Sequence, residues 1–332
     1  THMLQLVLTV IIFMIIVIPI GNYLYHIASG QRTFADPVFD RVDGGIFKVC
    51  GIHPDKGMNW KQYALALLLT NAVMVFVGYL VLRIQFLPIF NPNGIGAMEE
   101  TLSFNTIISF MTNTNLQHYS GESGLSYLSQ MLVITYMMFV SAATGAACIA
   151  FVRGLAGKSK DNVGNFYADL VKVTTRVLIP LSIIGGMLLI WQGVPQNFDP
   201  NVTVTTIEGT QQDISMGPVA ALEIIKHLGT NGGGFPGANS STPIENPTII
   251  SDLVELYSMM ILPGACVIMF GKMVKDRRRK TASSSEHSAT TQDLVKTSEL
   301  VSKPSFTAKL YGSEGRTIFF AMGIIFLIGL SV

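Results

Sequence analysis

Charge is what this chain has least of. Only 13% of its 332 residues are Asp, Glu, Lys or Arg, against about 25% in a soluble domain. With a mean hydropathy of +0.46, that scarcity excludes an ordinary soluble enzyme and argues for an integral membrane protein. The formal net charge of +1 decides nothing, because the charges are segregated along the chain, and no nucleic-acid partner is expected. Cysteine is scarce too. Cys50, Cys148 and Cys266 are far apart, in or beside apolar segments, which excludes a disulfide framework and a zinc spacing and leaves them as core residues. Thr1-His2-Met3 reads as a cloning remnant with the native start at Met3, and residues 1–3 are left out of the fold.

What is abundant is apolar sequence. A helix needs about 20 mostly apolar residues to cross a bilayer, and Leu4–Tyr25, Gln62–Ile84, Tyr127–Val152, Val171–Trp191 and Ile250–Val274 qualify. Thr317–Val332 is apolar but short. The first span has no basic leader and no small-x-small cleavage site after it, so it reads as a retained anchor. Lys and Arg set the orientation. They crowd Tyr25–Lys61, Arg153–Arg176 and the segment after Val274, are absent between Ile84 and Tyr127, and number one, Lys226, between Gln192 and Ile249. This pattern predicts an N-terminus outside the cell. The outer connections then hold Glu99, Glu100, Glu122, Asp199, Glu208, Asp213, Glu223 and Glu245. They read either as an acidic mouth that concentrates cations or as ordinary solvated loops.

Two outer connections carry unusual loops, Thr112-Asn113-Thr114-Asn115 and Gly229-Thr230-Asn231-Gly232-Gly233-Gly234. Each follows a short apolar stretch, Glu99–Met111 or Pro218–Leu228. As helices these would be about 17–20 Å long, roughly half the hydrocarbon thickness, so each can re-enter but not span. Glu99 and Glu100 suit the positive end of the first helix. Pro218 suits the first turn of the second, with Ser215 as a nearby cap. Irregular backbone survives at membrane depth only when it is buried in protein or lines a watery cavity, and its carbonyls can replace a cation's hydration shell. Gly232 and Gly233 are the sharpest positions, since glycine's access to positive φ lets successive carbonyls turn to one axis. His118 and His227 flank the loops, and two distant histidines make a poor metal site. Met14, Met74, Met137, Met138, Met259 and Met260 read as packing.

Read as a pair of pore elements, the sequence resembles the N-terminal part of the KdpA family, the channel-like subunits of the bacterial Kdp potassium-importing ATPase. The matching text runs from Met58-Asn59-Trp60-Lys61-Gln62-Tyr63 through Phe110–Asn115, Gln117–Glu122, Leu125–Tyr127 and Ser129–Met131. It continues in Met216–Ala220, Leu228–Phe235, Ala238–Ser241, Glu245–Thr248 and Asp276–Arg278. The resemblance implies an all-α integral membrane fold: an extra N-terminal helix, two span–pore loop–span repeats of the potassium-channel type, and the start of a third. Residues 4–61 are then the first helix and an inner connection, 62–152 the first repeat, 171–274 the second, 275–316 a polar inner linker and 317–332 a final short span. It implies a K+ filter from Asn113, Thr114 and Asn115 with Thr230, Asn231 and Gly232, supported by Thr112, Gln117, Gly229, Gly233 and Gly234. Gln117 matches a family position linked to potassium affinity, and at Leu116 the family often has an aromatic residue.

K+ is the only cofactor or metal expected, and no catalytic residue is. The chain has no Asp-Lys-Thr-Gly-Thr phosphorylation motif and no Walker A loop, so ATP hydrolysis would belong to another Kdp subunit. The resemblance places the chain as a multi-pass protein of the bacterial inner (plasma) membrane. It departs from the family by stopping after two repeats and by the Ser/Thr-rich segment Lys280–Lys309, which reads as a flexible inner linker. Arg277-Arg278-Arg279-Lys280 reads as a positive-inside anchor or an anionic-lipid contact. Two filter strands cannot enclose a dehydrated cation. A two-fold homodimer, a separate protein supplying the missing repeats, or a longer chain would close the ring. The alternative function is a non-conducting membrane regulator or assembly partner of a potassium transporter.

Overall fold

In lipid every backbone N–H and C=O needs a partner within the structure, which leaves apolar segments of this length only the helix. The computed structural model describes residues 2–157, 162–286 and 313–331. Its helices are α1 (His2–Ser29), α2 (Asp36–Cys50), α3 (Trp60–Ile84), α4 (Glu100–Met111), α5 (Gly121–Gly124), α6 (Tyr127–Ala156), α7 (Phe166–Val173), α8 (Ile179–Trp191), α9 (Val219–Leu228), α10 (Ile249–Glu286) and α11 (Ser313–Ser331). A π-helical turn, Thr174–Leu178, joins α7 to α8 without a break. Among the described residues, five stretches are long and apolar enough to cross a membrane: Leu4–Ser29, Trp60–Ile84, Tyr127–Ala156, Phe166–Trp191 and Ile249–Arg277. These are the five expected spans, each extended at one or both ends. The chain is an all-α multi-pass membrane protein.

Local chemistry explains where the spans begin. Asn59 and Gln62 form a reciprocal capping box at α3, with Gln62 N donating to Asn59 Oδ1 at 2.9 Å and Asn59 N to Gln62 Oε1 at 3.0 Å. Ser126 caps α6, and Asn165 caps α7 through the amides of Tyr167 and Ala168. Helix α6 is the most buried span, with Met137, Ala142 and Ala146 at 0% exposure. Tyr136 Oη donates to the Met74 carbonyl at 2.6 Å, and Tyr63 Oη to the Ala146 carbonyl at 2.8 Å, so α3 is fixed to α6 at two levels. Helix α1 lies along α10, where Gly21 faces Ile268 and Gly264 faces Phe13 and Val17. Small residues allow that close approach. Cys148 of α6 and Cys266 of α10, distant in sequence, meet side chain to side chain as free thiols. Leu65, Leu68 and Phe76 of α3 and Ile183, Ile184 and Met187 of α8 stay exposed, as lipid-facing residues do.

Three elements differ from the sequence reading. The connection after α1 contains helix α2, whose Asp36, Asp40 and Asp43 share one face and surround Arg176 at 2.8, 2.7 and 2.7 Å. Arg176, counted above as a connecting residue, lies inside the fourth span. Val202–Thr205 and Gln211–Ile214 pair as an antiparallel hairpin, β1 and β2, in register from Val202↔Ile214 to Thr205↔Gln211. Helix α10 continues past Val274 to Glu286, because Lys, Arg and Ala propagate a helix readily. Residues 287–312 of the expected linker lie outside the described residues.

Candidate cation site at the paired loops

The two short helices are built alike. Helix α4 has 12 residues and α9 has 10, or about 18 and 15 Å at 1.5 Å per residue. Glu99 caps α4, accepting from Thr101 Oγ1 at 2.5 Å and Leu102 N at 2.7 Å. Those two donors hold its carboxyl at about 2, so the positive helix end meets a charged oxygen. Ser215 does not cap α9. The hairpin doubles the chain back, so Ala220 N donates to the Pro195 carbonyl at 3.0 Å and Ala221 N to Gln196 Oε1 at 2.9 Å.

Thr112 ends α4 as Gly229 ends α9, which puts the following loops in equivalent registers. Asn113 and Asn115 have φ of 58° and 53°, and their counterparts Thr230 and Gly232 have 53° and 101°. The sign of φ therefore alternates along both loops. Alternation of this kind turns every second peptide over, a backbone pattern that can bring successive carbonyls to one side. Glycine and Asn accept positive φ at small cost. A β-branched Thr does not, and persists there only where its surroundings over-determine it. Gly232 faces open space on its Cβ side, whereas Gly233 keeps negative φ and backs onto Met137 and Phe110.

The loops are tied to each other and to α6. Asn115 Nδ2 donates to the Asn231 carbonyl at 3.1 Å, and Asn231 Nδ2 to Asn113 Oδ1 at 2.5 Å. Ser141 Oγ donates to Asn231 Oδ1 at 3.1 Å. A Cβ on Gly229 would overlap Ser141 Oγ, and one on Gly234 would press the Asn239 backbone. Gln117 bridges the loops with both ends of its amide, Nε2 to the Gly234 carbonyl and Gly234 N to Oε1, each at 2.9 Å. Thr112, Thr114, Thr230 and Gly232 are exposed at the open side of the pair. Asn115 Oδ1 is buried with no hydrogen-bond partner among the described residues. Replacing Gln117 by Leu leaves the Gly234 N–H and C=O without these partners. Thermal unfolding should report a loss of about 1–3 kcal/mol.

The acidic residues divide. Glu122 Oε2 accepts from Gly237 N at 2.8 Å and stays partly open. Glu223 and Glu245 are not solvated loop residues, since both are 0% exposed. Glu245 accepts from Phe235 N at 3.0 Å and Ser240 N at 2.8 Å. Burial, with the adjacent Glu223 charge, pushes its carboxyl up to about 8.

All eleven expected loop residues thus sit in two adjoining loops. Sequence reasoning missed the cluster behind them, where Glu223, His227 and Glu255 bring ligand-type atoms within 4.8 Å of one another. The Glu223/His227 spacing of one helical turn was its visible half; Glu255 joins only through the packing of α10. His118, the other flanking histidine, is exposed and outside this group.

Known proteins have similar sequences. Residues 7–308 match the family model for the potassium-transporting ATPase A subunit, KdpA. The potassium-transporting ATPase potassium-binding subunit of Clostridium acetobutylicum is 55% identical over 275 residues, 82% of this chain and 49% of that protein. Its namesakes from Caldanaerobacter subterraneus and Pseudomonas entomophila are 49% and 44% identical, over 82% and 85% of this chain and 49% and 50% of their own length. The chain thus spans about half the length of these curated relatives. On this match, the chain belongs to the KdpA family of potassium-transporting ATPase A subunits.

Proposed function

We propose that the two loops are half of a potassium filter, and that the chain serves K+ binding and transmembrane transport as a non-hydrolysing, Kdp-type subunit. The observation that carries this reading is the alternating φ in both loops, including positive φ at the β-branched Thr230. Such strain is held where a backbone must present its carbonyls. The names of its relatives, potassium-binding subunits, support K+ as the ion. Asn113, Thr114 and Asn115 with Thr230, Asn231 and Gly232 supply the oxygens. Thr112, Gln117, Gly229, Gly233 and Gly234 hold them in place.

Each short helix points its negative C-terminal end at the ion, and the cation gains from that field. The Lys/Arg-poor connections put the loops and the N-terminus outside the cell membrane, with α2 and the basic end of α10 inside. Two strands give about half the oxygens a dehydrated ion requires. A second copy about a two-fold axis, or chain carrying further repeats, completes the ring, and a separate Kdp ATPase subunit supplies the energy.

Rb+ uptake by proteoliposomes holding only this chain tests conduction. Uptake that K+ blocks and Na+ does not is expected if copies assemble. Folded protein that binds K+ without uptake assigns the closure of the pore to further repeats or partners, or the chain to regulation. Folded protein with neither binding nor uptake overturns the filter reading.

A further inference from the structure

Behind the second loop lies a buried charge cluster that offers no oxygen to the loop's open side. Lys226, the single Lys or Arg between Gln192 and Ile249, has a side chain 2% exposed, and its partner Glu223 is at 0%. Its Nζ donates to Glu223 Oε1 at 3.0 Å and to Asn239 Oδ1 at 3.0 Å. Glu223 Oε2 accepts from Ser240 Oγ at 2.8 Å. His227 Nε2 stands 3.1 Å from Glu255 Oε2 and 3.6 Å from Glu223 Oε2. The Lys226 carbonyl accepts from Asn231 N at 2.9 Å. One residue therefore holds the middle of the loop with its backbone and the returning chain with its ammonium.

Two carboxylates and an imidazole this close could hold a divalent cation, but the Lys226 ammonium lies 2.9 Å from the same Glu223 oxygen. The cluster already has a cation, tethered to α9. Stability alone is a weak reason for it, because a buried ion pair costs desolvation that an apolar pair avoids. What the pair adds is geometry. It ties α9, the returning residues Asn239 and Ser240, and α10 through Glu255, around a loop whose own backbone is strained.

We propose that Lys226, Glu223 and His227 are positioning residues for the second loop, clamping its return to α9 and α10 and so setting how tightly the loop holds a cation. This rests on reading the loops as a K+ filter.

The test is amide hydrogen exchange of the whole chain in detergent, across a K+ titration, with thermal unfolding alongside. It compares wild type, Lys226→Met, and the double variant Glu223→Gln/Lys226→Met. Removing a charged buried hydrogen-bond set should speed exchange at Asn231–Gly234 and raise the K+ half-point, each by about tenfold. The double variant leaves no unpaired charge, so it should regain thermal stability but not loop protection or affinity. Wild-type protection and half-point in the double variant would overturn the proposal, and this holds even if Lys226→Met fails to fold. A wild-type chain whose loops ignore K+ would instead sink the filter reading. The clamp would then stand or fall on the K+-free exchange rates.

Discussion

Gly232→Asp is expected to abolish the K+ over Na+ preference proposed for the loops, while the protein still folds and inserts. The Cβ side of Gly232 faces open space, so the new side chain meets no wall and the spans keep their packing. The backbone is a different matter. With φ at 101°, a non-glycine residue is strained by about 1–3 kcal/mol, and relaxation turns a carbonyl out of line. The added carboxylate attracts Na+ as well as K+, and discrimination by matched carbonyls is lost. Competition of Na+ and K+ against Rb+ binding measures it. Unchanged competition in a folded variant would remove Gly232 from the filter.

Arg176→Met produces the largest loss of stability. Arg176 and Asp43 are almost wholly buried, at 8% and 2% side-chain exposure, while Asp40 is mostly exposed. The π-helical turn at Thr174–Leu178 places the guanidinium against α2, where Nε meets Asp43 Oδ2, and Thr175 Oγ1 donates to Asp43 Oδ1 at 2.7 Å. Removing the cation leaves the buried Asp43 carboxylate without its ion partner, with the partly buried Asp36 beside it. Breaking a buried pair from one side costs about 3–5 kcal/mol. Thermal unfolding in detergent should show it, and adding Asp43→Asn should recover part of the loss. A variant as stable as wild type would mean that α2 is not held by this contact. Arg153, which meets Asp169 at 2.6 Å and the Ala28 carbonyl at 2.9–3.0 Å, offers a second, more exposed pair for comparison.

Why some of this was legible from residues alone follows from the range of the forces. Hydropathy is local and period-independent at this length, so all five spans could be read with ends accurate to a turn or so. The two loops stand out in the sequence because Gly, Asn and Thr bunch after short apolar stretches, and the structure places both after short helices; their part in a filter belongs to the proposal. Helix α2 reads as a connection in sequence, although Asp36, Asp40 and Asp43 recur at helical spacing. Their partner Arg176 lies over 130 residues away, so nothing nearby identified the buried face. The hairpin did have a signal, in the β-branched run Val202-Thr203-Val204-Thr205 and the turn at Gly209. The cap of α9 had none, because Gln196 reaches Ala221 only after the hairpin folds. The Glu223–Lys226–His227 cluster was half visible in the spacing on α9, and Glu255, Asn239 and Ser240 join it only in three dimensions.

Backbone oxygens of the two loops are proposed to select potassium. Equilibrium binding of Rb+ to the purified chain, displaced by K+ or by Na+, tests it most directly. Saturable binding is expected that K+ displaces far more readily than Na+ and that is lost in Gly232→Asp. Saturable binding displaced equally by both ions, or unaffected by Gly232→Asp, would contradict it.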